Sequence, residues 1–83
     1  MTIRKILLRD GLTFEGDAVA IVEAMKAMAF GVDGLSLAAY VDFVAATALR
    51  FENITLDVAG DDGAQKAEAL VQAMLAKELA VAL

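Results

Sequence analysis

The chain contains no cysteine and no histidine. Without cysteine it cannot be stapled by disulfides. Without either residue a structural zinc site is nearly excluded, because such sites are built from thiolate and imidazole. The same gaps remove the commonest general base and the best nucleophile. Ser36 is the only serine, and its position suits a helix cap. Lys5, Lys26, Lys66 and Lys77 occupy positions that read as solvated. No alternating run of oxygen ligands provides a calcium loop. No catalytic residue, cofactor or metal is therefore expected, and the chain reads as a non-enzyme.

Clustered positive charge is also scarce. Seven Lys and Arg stand against twelve Asp and Glu, for a net charge of −5. Nucleic acid binding needs clustered cations to neutralise phosphates, and Arg4, Lys5 and Arg9 form the only such group. Arg4 and Lys5 point to opposite faces of an expected strand. Unbroken apolar runs never reach the roughly 18–20 residues of a membrane-crossing helix. Residues 35–49 come nearest, and Asp42 interrupts them. The first five residues lack a signal-peptide pattern, so the expected location is cytoplasmic.

What the sequence does have is apolar surface. Sixty per cent of its 83 residues are hydrophobic, above the roughly 45–50% of ordinary soluble domains. One domain spanning 1–83 has a small interior at this length. Part of its Val, Leu, Ile, Met and Phe must lie outside, and contiguous apolar surface marks an interface. The expected partner is another copy of the chain or another protein.

Residues 3–8 read as a strand, and Asp10-Gly11 between two apolar runs signals a hairpin. A two-residue loop would pair Arg9 with Leu12, Leu8 with Thr13 and Leu7 with Phe14. That register puts Leu7, Phe14, Leu12 and Arg9 on the core face. Asp17 can cap a helix through Phe30, with Ile21, Val22, Met25, Met28 and Ala29 as its stripe. Ser36 caps a second helix to about Phe51, flanked by Leu35 and Tyr40 at hydrophobic-staple positions. Its main stripe is Leu37, Tyr40, Val41, Val44, Ala48 and Phe51. Residues 54–58 alternate apolar and polar, as in a strand with one buried face. A third helix from Ala64 to about Ala80 buries Ala67, Leu70, Val71, Met74, Leu75 and Leu79. The expected fold is α+β in two layers, β-β-α-α-β-α. Its three-stranded sheet has the order 2-1-3, with the third strand parallel to the first and three helices packed on one face.

The short acidic glycine segments 31–34 and 60–63 read as turns, since a phosphate cradle wants donor amides and a cation. Asp61-Asp62 reads as a helix start rather than an acid/base pair. Glu78 falls within the last helix's apolar stripe. It is either solvated at a fraying end or paired with Lys5, Arg9 or Arg50. Phe43 and Leu49 lie off the second helix's main stripe on opposite flanks, and Phe30 falls off the first. With Tyr40, and with Thr47 and Arg50 as a polar rim, these form the candidate interface: Phe30, Tyr40, Phe43, Thr47, Leu49 and Arg50.

Ile21-Val22, Met25, Phe30, Leu35-Ser36-Leu37, Tyr40 and Val44-Ala45 together resemble a pattern in short uncharacterised bacterial and mobile-element proteins. There too a β-hairpin precedes the helical segment, which here spans 21–50, about a third of the chain. The resemblance implies no function and supplies no catalytic residue. The sequence therefore leads to an interaction or assembly protein that self-associates through an apolar helical surface. A small dimeric DNA-binding or transcription-modulating protein is the alternative.

Overall fold

The computed structural model describes residues 3–29, 31–32 and 34–83. The chain runs β1 (Arg4–Leu8), β2 (Thr13–Gly16), α1 (Ala18–Met28), α2 (Leu37–Glu52), α3 (Gly63–Ala76) and β3 (Ala80–Ala82). The sheet has the order β2-β1-β3, and both pairings are antiparallel. This is an α+β fold with the expected strand order, but the third strand runs antiparallel to the first and not parallel to it. The element order is β-β-α-α-α-β, because the third strand comes from the chain's last residues and not from 54–58.

The hairpin turns through three residues rather than two. The Leu8 N–H donates to the Leu12 carbonyl at 2.7 Å, and the Gly11 N–H to the Leu8 carbonyl at 3.0 Å. Gly11 takes φ +96°, which its missing Cβ permits. Asp10 steadies the loop by accepting the Leu12 N–H at 3.1 Å. Ile6 consequently faces Phe14 and Leu7 faces Thr13. A one-residue slip exchanges the two faces of a strand. Ile6 and Phe14 are therefore the buried pair, and Leu7 stands on the outer face with exposed Lys5, Thr13 and Glu15.

Each helix starts on a side-chain cap. Asp17 accepts from Ala20 N, Ser36 from Ala39 N and Asp62 from Gln65 N. Gln65 in turn accepts the Asp61 N–H at 2.9 Å, so both aspartates of the 60–63 loop are engaged at the start of α3. Helix α1 contacts β2 and α3 contacts β3, while α2 packs on α1 and α3. All lie on the face carrying Ile6, Phe14 and Ala80, though α2 reaches the core through the other helices and not through the sheet. On α1 the buried residues are Ala18, Ile21 and Val22. Met28, expected in its stripe, is exposed at the helix end.

Residues 54–58 do bury one side: Leu56 is buried, Ile54 and Val58 half-buried, Thr55 and Asp57 exposed. They nevertheless join no ladder. A Cβ on Gly63 would lie 3.3 Å from the Leu37 Cβ, so α3 starts beside the start of α2. The chain must return along the length of α2, roughly 24 Å at 1.5 Å per residue. The extended segment makes that return, with its apolar side against the helices.

The last helix stops at Ala76. Glu78 adopts φ +60°, its N–H donates to the Leu75 carbonyl at 3.2 Å, and the Leu79 N–H donates to the Met74 carbonyl at 2.9 Å. These are the paired bonds of a Schellman motif, which satisfy orphan carbonyls and turn the chain out of the helix. Ala80–Ala82 then pairs with Ile6–Leu8. Glu78 is exposed and belongs to neither described ion pair, Arg4–Glu68 or Lys66–Asp42, each at 2.8 Å. The first joins β1 to α3 and the second joins α2 to α3.

Candidate functional site

Large apolar side chains are exposed on α2, at Phe43, Leu49 and Phe51, and also around the sheet, at Ile3, Val81 and Leu83. Two patterns compete along α2. Tyr40, Val41 and Ala48 point into the core. Phe43 stays 49% exposed, Leu49 52% and Phe51 74%. At about 100° per residue, Phe43 and Leu49 fall off the buried stripe on opposite flanks. Their exposure follows from that geometry.

Phe51 corrects the expectation that placed it in the core. Its wheel angle lies within the buried stripe, but it sits in the last turn of α2. Glu52 and Asn53 follow, and Asn53 ends the helix in the left-handed conformation, φ 55°. A stripe buries only where a partner element covers it, and Phe51 lies where that cover has ended. The Arg50 guanidinium carbon lies 5.5 Å from the Phe51 ring centroid, within cation–π range.

Among the candidate interface residues, Tyr40 is buried and Thr47 half-buried, while Phe43, Leu49 and Arg50 are exposed. Phe30 lies outside the described residues. Tyr40 serves as a support: its ring stacks on Phe43 with centroids 6.5 Å apart and planes at 25°. An (i, i+3) spacing brings the two rings to the same side of the helix. Burial raises the Tyr40 phenol above its ordinary pKa of 10.0.

Beside Phe43 is a depression of about 190 Å³, walled by Val44, Ala48, Leu56, Met74 and Leu79. A wider one of about 420 Å³ adjoins it, sharing Glu52, Met74 and Leu79 and adding Leu8, Arg9 and Asp10. The floor is apolar because the Schellman turn folds Leu79 back beside Met74. Charge enters only at the mouth, through Arg9, Asp10 and Glu52. Sequence reasoning missed this groove, whose walls come from the hairpin, α2, the returning segment and the end of α3.

The site offers shape and apolar contact, with Arg9, Asp10 and Glu52 as the charged groups of its lining. Among the described residues, no cluster of three or more His, Cys, Asp or Glu could hold a metal ion. None of the described helices is long and apolar enough to cross a membrane. Compared with family models, curated proteins and solved structures, the chain matches none.

Proposed function

We propose that this chain is a non-enzymatic interaction domain that self-associates through the exposed apolar side chains of α2. The observation that carries the reading is the exposure of Phe43, Leu49 and Phe51 within nine residues of one helix, beside an apolar groove. A single exposed apolar residue is ordinary. Three large ones on one helix, with Phe43 held in place by a buried tyrosine, leave apolar area on both flanks of α2 and at its end. Full burial of such a side chain is worth roughly 1.5–3 kcal/mol, so half-exposed ones forgo a substantial part of that in the monomer. Aromatic residues are also favoured in interface cores. Thr47 and Arg50 beside Phe43 provide polar contacts at the rim.

The test is Phe43→Asp. We expect this change to raise the concentration at which the protein elutes as a monomer in gel filtration, with the far-ultraviolet circular dichroism of α2 retained. Unchanged elution across a dilution series would remove Phe43 from the interface.

A further inference from the structure

Phe51 is the most exposed large apolar side chain among the described residues, and it walls neither depression of its own chain. One residue further on, Glu52 lines both. An unfilled apolar ring and an unfilled apolar hole thus sit side by side at the C-terminal end of α2. Their sizes agree. An apolar cavity of about 150 Å³ accepts benzene, and the smaller depression measures about 190 Å³.

Their charges also agree. Arg50 rides against the Phe51 ring and carries one positive charge. The adjoining mouth carries Asp10 and Glu52 against Arg9, a net single negative charge from two carboxylates and one guanidinium. The chain as a whole is at −5, so two copies repel unless a local cation meets a local anion. Complementary charge of this kind fixes register and suppresses wrong pairings.

We infer that the occupant of the groove is Phe51 of a second copy, with that copy's Arg50 meeting Asp10 and Glu52 at the mouth. Because ring and hole are neighbours on one surface, a single two-fold axis near the end of α2 lets both copies exchange rings. Such an interface is isologous and closes at the dimer. The inference rests on the self-association proposed above and specifies its geometry.

Three variants test it by sedimentation velocity on the whole chain: Phe51→Ala, Arg50→Glu and Glu52→Lys. Each should weaken dimerisation by at least about tenfold, as expected for a central anchor or a desolvated charge. Arg50→Glu and Glu52→Lys place like charges at both ends of their own homodimers. Mixed together, they meet as opposites at both, so the mixture should dimerise within a few-fold of the parent chain. Melting curves report folding for each variant, and the mixing experiment keeps the charge contact testable if Phe51→Ala alone disturbs α2. A parent dimer insensitive to all three variants, or a mixture no tighter than its components, would overturn ring exchange while leaving self-association intact. A parent chain that is monomeric throughout would sink both.

Discussion

Gly16 ends β2 at φ +136°, and a Cβ there would stand 2.9 Å from the Ala20 Cβ. Backbone strain and overlap act together, so Gly16→Ala should cost on the order of 2 kcal/mol, read as a lower melting temperature. Glu78 presents the opposite case. It occupies the left-handed C′ position usually given to glycine, and its side chain is exposed. Glu78→Gly should therefore stabilise the fold by about 0.5–1 kcal/mol once the larger unfolded-state entropy of glycine is subtracted. For a domain this small, 1 kcal/mol is about 4–8 °C in Tm. Tyr40 adds a pH dependence. Its folded pKa is raised above 10.0 by burial, so the native state disfavours the phenolate. Stability from this group is complete below about pH 10 and falls as pH rises from there towards the folded pKa. Tyr40→Phe should remove that part of the alkaline loss in denaturation curves recorded at increasing pH.

Elements were legible where the signal is local, and misread where the tertiary partner decides. The three caps on Asp17, Ser36 and Asp62 follow from hydroxyl or carboxylate positions alone. The strand order 2-1-3 was legible too, although residues 80–82 and not 54–58 fill its third place. The hairpin register did not, because Asp-Gly serves a two-residue turn and also a three-residue turn whose glycine takes positive φ. That difference of one residue exchanged Ile6 for Leu7 in the core. Ile6→Thr should therefore cost roughly 2–4 kcal/mol, and Leu7→Thr less than about 1 kcal/mol. Chemical denaturation of the two variants decides the register, and the reverse ranking would restore the two-residue loop. Residues 54–58 show what alternation does and does not report. Period two marks an extended segment with one covered side, whether or not a ladder forms. The true third strand was hidden because its residues suit a helix, and the turn that breaks the helix uses Glu78 instead of glycine. The candidate surface was half legible. A helical wheel separates Phe43 and Leu49 from the core, but it is blind to where a partner helix ends, so the angle of Phe51 points inward while its side chain is exposed.

At the scale of the whole molecule the chain is compact for its length. Its radius of gyration of 11.5 Å meets the roughly 12 Å expected of a compact chain of this length. No buried polar side-chain atom of the described residues lacks a hydrogen bond. The exposed apolar side chains are thus not the mark of a loose monomer. Two of the seven cations, Arg4 and Lys66, are held in ion pairs with Glu68 and Asp42, and the surface is acidic overall. Duplex DNA should show no salt-sensitive binding in a gel-shift assay at physiological salt, and tight binding there would favour a DNA-associated dimer. On the proposed reading, a compact subunit with exposed apolar surface on α2 completes itself with a second copy. Light scattering coupled to gel filtration at micromolar concentration measures this directly. The expected mass is twice that of the chain or a higher multiple, and a well-folded, soluble monomer at that concentration would rule out self-association.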